Sequence, residues 1–203
     1  FLDTQAWRIL GSVRAGETSG VVRFRGDGRS VLVADPARSA VVVLDPAARR
    51  VLTTIRVAVR PQHFCFKPDG GELFVTGEGM DAVVILNPFK NEVAETVLAG
   101  RAPGAMAFSR SPEFLFFTNP PSGDVTILDP ETRRVVASVA VGAEPSSVTL
   151  TPDDEYALIL NRRSGTMAVI RPPAVVRSRS RGAPLYTTIP VGPRPVDAAI
   201  VAV

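Results

Sequence analysis

A proline recurs along this chain at a fixed interval: Pro61, Pro103 and Pro145 stand 42 residues apart, and Pro195 follows 50 residues after the last. Each interval holds four short apolar runs separated by turn residues, most plainly between Pro103 and Val141. A period of about 40 to 45 residues carrying four strands is the sequence sign of a propeller blade. The expected fold is therefore all-β, a β-propeller with four complete four-stranded blades at 17–60, 61–102, 103–144 and 145–194. Residues 1–16 match the end of a preceding blade and 195–203 the first strand of a further one, all within one propeller domain. Open blade edges of this kind predict self-association.

Turn chemistry favours strands over helices for the apolar runs. Lys67-Pro68-Asp69-Gly70 fixes one φ with proline and supplies a positive φ with glycine, and Arg25-Gly26-Asp27-Gly28 and Thr151-Pro152-Asp153-Asp154 fill the same slot. Asp45-Pro46, Asn87-Pro88 and Asp129-Pro130 end the third strand of successive blades, since proline cannot donate to a ladder. On the first strands, Phe64, Met106 and Val148 alternate with Phe66, Phe108 and Leu150 at period two, with Val22 and Phe24 aligned to them. These are expected on a face pressed against a neighbouring blade. An eight-residue insertion breaks the last repeat within 172–184, where Arg177, Arg179 and Arg181 alternate with serine in an expected basic, flexible loop.

The net charge is +3, and all but Lys67 and Lys90 of the 23 basic residues are arginine. The arginines are scattered and do not interleave with aromatics, so no nucleic-acid partner is expected. No apolar run approaches the length of a transmembrane helix. With Cys65 alone there is no intramolecular disulfide.

The repeat also resembles the YVTN-type β-propeller family. The similarity lies in Phe66-Lys67-Pro68-Asp69-Gly70, Leu115-Phe116-Phe117-Thr118-Asn119, Val125-Thr126-Ile127-Leu128-Asp129 and Val141-Gly142-Ala143-Glu144-Pro145. Arg171, where the family has Asp, and the insertion depart from it. The resemblance implies a propeller, commonly seven-bladed, of which this chain supplies part, and a bacterial or archaeal extracytoplasmic or surface protein. It implies a binding or scaffolding role; some related propellers are enzymes, lactonases among them, or carry haem.

No catalytic, cofactor or metal motif stands out. His63, near the start of a first strand, is a candidate ligand contact but lacks the Cys or His partners of a metal site. The carboxylates Asp27, Asp69, Asp129 and Asp153 recur at turns and have a structural explanation in every blade. The loops that deviate while the strands repeat carry Arg60, Arg101 and Arg194 beside the repeat prolines, with Arg38, Arg162 and Arg163 on the connections between second and third strands. An arginine-lined loop face suits a protein, glycan or small-anion partner. The expected function is thus non-catalytic binding or scaffolding without cofactor, and the alternative is a propeller enzyme of the lactonase or haem-carrying type.

Overall fold

The computed structural model describes residues 1–177 and 184–200, which divide into two compact units, Phe1–Thr96 and Val97–Val203. The first unit opens on a hairpin of β1 (Leu2–Asp3) and β2 (Arg8–Ile9). One four-stranded sheet follows, of β3 (Val22–Phe24), β4 (Val31–Asp35), β5 (Ala40–Asp45) and β6 (Arg50–Arg56). A second holds β7 (Arg60–Phe66), β8 (Leu73–Glu78), β9 (Ala82–Asn87) and β10 (Glu92–Leu98). In the second unit, β11 (Met106–Arg110), β12 (Glu113–Asn119), β13 (Asp124–Asp129) and β14 (Arg134–Ala140) make the third sheet. The fourth holds β15 (Pro145–Leu150), β16 (Ala157–Asn161), β17 (Thr166–Ile170) and β18 (Leu185–Pro190). Strands neighbour one another in chain order in every sheet, the meander of a propeller blade.

Within each unit two sheets pack face to face. Leu32, Val41 and Val43 of the first sheet meet Phe64, Leu73, Val75 and Val84 of the second in one core. Phe116, Val125 and Ile127 of the third meet Val148, Ile159 and Ile170 of the fourth in another. Each such side chain contributes roughly 1.5 to 3 kcal/mol when fully buried. The fourth strand of the first, third and fourth sheets joins its neighbour through a register shift, at Val43/Leu44, Ile127/Leu128 and Val169/Ile170. A bulge repeated at one place increases the twist of each blade.

The turn after each third strand is built alike in the first three sheets. Asp45 Oδ1 accepts from the amides of Ala47 and Ala48, Asn87 Oδ1 from Phe89 and Lys90, and Asp129 Oδ1 from Glu131 and Thr132. Arg49, Asn91 and Arg133 then close it at φ near 50° to 60°. Asp3, with Gln5, Ala6 and Trp7, repeats this turn in the opening hairpin. In the fourth sheet Arg171 takes the Asp position and offers no acceptor, so the turn is absent. Pro172–Arg177 instead form a short helix α1, for which proline is well suited to the first turn.

Three expectations are corrected. Val22 and Phe24 are 44% and 61% exposed. They pair with Val33 and Val31 as Phe64 and Phe66 pair with Val75 and Leu73, so the face is the expected one, but among the described residues only Val13 and Ala15 pack against it. The start of the insertion is helix, with Val175 buried in the second unit's core; Arg179 and Arg181 lie outside the described residues. Residues 195–200 form no strand, although the equivalent prolines Pro61 and Pro145 lie in strands; among the described residues no further strand pairs with this segment.

The fourth sheet's first hairpin places Asp154 at φ 57°, where Gly28 and Gly70 sit at 69° and 73°. Its carboxylate compensates by accepting from the amides of Arg110 and Ser111 in the adjacent hairpin, at 2.8 and 3.2 Å. Asp154→Ala should therefore cost roughly 1 to 3 kcal/mol in denaturant unfolding, the range for orphaning buried donors. A loss within about 0.5 kcal/mol, the usual range for a surface change, would show those amides to be satisfied by water.

Hairpin carboxylates also set an acid limit. The bonds from Arg25 and the Arg29 amide hold the Asp27 carboxyl down at about 2, the Gly71 amide lowers Asp69, and the Thr151 hydroxyl lowers Asp153. Folded values below the unfolded ones give stability that is whole above about pH 4 and drains as pH falls through the folded values. These carboxylates should leave the melting temperature unchanged from pH 8 to 5 and lower it below pH 4, while His63, whose pKa is lowered in the fold, adds a separate decline as pH falls through about 6.5. A rise on acidification would contradict the assignment.

Candidate functional site

The buried second strands end on a polar residue at matching places: Asp35, Asn119 and Asn161, all at most 1% exposed. Each ties the loop that enters its sheet. Asp35 accepts from the amides of Glu17 and Thr18; Asn119 accepts from Arg101 N and donates to Asp124 Oδ1 and Thr126 Oγ1. Asn161 Nδ2 donates to Val141 O at 2.9 Å and Thr166 Oγ1 at 3.1 Å. Gly77 takes this place in the second sheet, where a Cβ would collide with the Arg60 carbonyl.

Around Asn161 the chain builds a groove. The β16–β17 turn is fastened to the segment entering β15 by Arg162 N to Glu144 O at 2.8 Å, Arg163 N to Ala143 O at 3.2 Å and Ala143 N to Ser164 Oγ at 3.1 Å. Val191 N to Gly165 O at 3.0 Å brings in the segment after β18. The result is an open groove of about 880 Å³ lined by Arg162, Arg163, Arg194, Ser164 and the half-buried Glu144. That volume lies within the range of roughly 300 to 1,000 Å³ typical of small-molecule sites. Three guanidiniums against one carboxylate make it an anion-attracting surface. Arg162 Nη1 stands 4.0 Å from Glu144 Oε1, a loose contact between half-exposed side chains that leaves the guanidinium available.

Of the residues expected from sequence, Arg162, Arg163 and Arg194 are thus brought together. Arg101 is exposed, and its amide, not its side chain, engages Asn119. It stands one residue out of register: the repeat equivalents of Arg194 are Glu144 and Ala102, and all three have positive φ, at 52°, 57° and 46°. In the first unit, Arg60 opens β7 opposite Glu78, and Arg38 pairs with Glu17 at 3.7 Å and Asp35 at 3.9 Å. His63 is half-buried beside Thr76 on β8, and burial, then the charge of Arg23, lower its pKa from the ordinary histidine value. Glu144 escaped sequence reading because Gly142-Ala143-Glu144-Pro145 reads as the repeat's own punctuation. Comparing Glu144 with Ala102 and Arg194 at the same place would have marked it as variable.

Among the described residues no group of three or more His, Cys, Asp and Glu is placed to hold a metal ion, and no helix is long and apolar enough to cross a membrane.

Asn161 supports the groove from beneath. Asn161→Ala leaves the Val141 carbonyl without its donor and should cost roughly 1 to 3 kcal/mol, measured by urea unfolding. No measurable loss would show that the turn is held by its backbone bonds alone.

No family model matches the chain, and no curated protein matches it. Solved structures do. It is similar to the periplasmic gluconolactonase of Pseudomonas aeruginosa, with TM-score 0.74 and 22% identity over 91% of this chain and 57% of that one. It is similar to the hydrazine synthase of Kuenenia stuttgartiensis, with TM-score 0.74 and 15% identity over 84% and 48%. A putative 6-phosphogluconolactonase from Bacteroides uniformis matches at TM-score 0.65 and 19% identity over 75% and 50%. The chain spans about half the length of the structures it matches. At these identities the likeness establishes the β-propeller fold. The neighbours are named as enzymes, two of them of lactonase type, and this overturns the expectation of a non-catalytic scaffold.

Proposed function

We propose that the chain carries the substrate groove of a lactonase-type propeller enzyme. The observation that carries this reading is the groove itself, with Arg162, Arg163 and Arg194 placed around the half-buried Glu144. Lactone hydrolysis forms a bond from a water oxygen to the carbonyl carbon and breaks the bond from that carbon to the ring oxygen. Negative charge grows on the carbonyl oxygen as water adds. Arginine cannot deprotonate at accessible pH, so its role is electrostatic: the guanidiniums oppose that charge and then hold the product carboxylate. Glu144 takes a proton from the attacking water and returns one to the departing ring oxygen. The named activities of the gluconolactonase and the putative 6-phosphogluconolactonase support a sugar lactone as substrate.

The YVTN-type assignment belongs to the same proposal, resting on the repeats beginning at Pro61, Pro103 and Pro145. So does an extracytoplasmic location, supported by the neighbour described as periplasmic. The partner is then a small anionic or nascently anionic ligand at the arginine groove.

D-Glucono-δ-lactone hydrolysis, followed by base uptake at fixed pH above the spontaneous rate, tests this reading. Glu144→Gln should lower kcat by about 10²- to 10⁴-fold, the usual worth of a positioned acid–base group. No rate above background, or an unchanged Glu144→Gln enzyme, would overturn it.

A further inference from the structure

The arginine groove has a copy one blade earlier. There the β12–β13 turn supplies Pro120, Pro121, Ser122 and Gly123 where the β16–β17 turn supplies Arg162, Arg163, Ser164 and Gly165. The glycine ends of the two turns match. Gly123 and Gly165 have φ of 73° and 65°, and a Cβ on either would stand 2.8 Å from the carbonyl oxygen of Gly142 or Gly192. Val141 N to Gly123 O and Val191 N to Gly165 O both measure 3.0 Å. The starts differ, because Arg162 N and Arg163 N bond to Glu144 O and Ala143 O while Pro120 and Pro121 have no N–H to give. The earlier groove has proline where the later has arginine, and Ala143-Glu144 where the later has Pro193-Arg194.

The two grooves adjoin, with Arg163 and Glu144 lining both. The smaller one, of about 290 Å³, stands at the low end of the roughly 300 to 1,000 Å³ of small-molecule sites and has room for one ring-sized group. A ligand lying along them meets three guanidiniums at one end, the Glu144 carboxylate in the middle and proline rings at the other.

Resting on the lactonase reading, we infer that the paired grooves select a lactone with a glycosyl extension, an aldobionic-acid lactone. The reacting carbonyl lies in the arginine groove and the second sugar ring over Pro120 and Pro121. An uncharged extension suits the proline groove, where the single cation Arg163 is matched by the Glu144 carboxylate. A hydrocarbon chain would cover Glu144 and Ser122 without offering a hydrogen bond, at a desolvation cost. A sugar covers the proline rings with its C–H face while its hydroxyls donate to the carboxylate.

Calorimetric titration with gluconate and with lactobionate, the same acid carrying a galactosyl group, separates this inference from the reading beneath it. Lactobionate should bind at least tenfold more tightly. Ala143→Trp, which fills the proline groove from an exposed position, should abolish that advantage and leave gluconate binding unchanged. Pro121→Gly, which removes a ring surface without adding bulk, should reduce the advantage several-fold and serves if the tryptophan variant does not fold. Equal binding of the two acids, or an advantage that survives in the folded variants, would overturn the extension site and leave the arginine groove standing. Failure of both acids to bind would overturn the anion site and this inference with it.

Discussion

The second and third strands of these sheets are buried on both faces, and that burial dictates most of the rest. Leu73 to Val75 and Val83 to Leu86 are wholly inaccessible, as are Leu115 to Phe117. Such strands cannot alternate apolar and polar residues, so they read as continuous apolar runs. Every amide and carbonyl in them has to be matched within the ladder, and where the ladder stops a side chain must take over. Asp35, Asn119 and Asn161 stand at that boundary and bond to backbone groups of the segments that enter their sheets. The loops are therefore set by polar accounting at the blade end, and the arginine groove is one product of it.

Much of the architecture was legible because each turn advertises its geometry. Proline and glycine in Lys67 to Gly70, and Asp or Asn before proline at 45, 87 and 129, bracket the strands to within a residue or two of where they lie. Residues whose role lies in a neighbour were not legible. Asp154 in a glycine slot reads as a poor turn residue until Arg110 N and Ser111 N are seen bonded to it. Val22 and Phe24 obey the repeat's register while their exposure depends on what packs against their face, which alternation cannot reveal. Arg171 was visible as a departure from the repeat. Its consequence, a helix in place of a turn, was not, although loss of the side-chain acceptor explains it.

The site was legible in its cations and opaque in its carboxylate. Arg162, Arg163 and Arg194 stand in loops that vary between blades, and variation against a constant scaffold is a usable signal. Glu144 belongs to a segment whose backbone is constant and whose side chain alone varies. The contrast with Ala102 and Arg194 is three different chemistries on one positive-φ position. A repeat protein can thus change the chemistry at one place with no local sequence signature, since the scaffold supplies the geometry and the side chain is free to change.

Asn119 and Asn161 show how the arginine turn departs from its copy. In the third sheet Asn119 Oδ1 accepts the amide of Arg101. In the fourth the equivalent amide, Ala143 N, is taken by Ser164 Oγ instead, and Asn161 Oδ1 is left buried without a partner. The exchange draws Ser164 toward Ala143, and with it the turn that carries Arg162 and Arg163, which the amide bonds to Glu144 O and Ala143 O then hold. In the proline turn Ser122 bonds back to Asn119 O and Asp124 instead, so that turn is fastened to its own hairpin. The two turns are thus fastened to different partners, the arginine turn to the segment that enters β15 and the proline turn to its own hairpin.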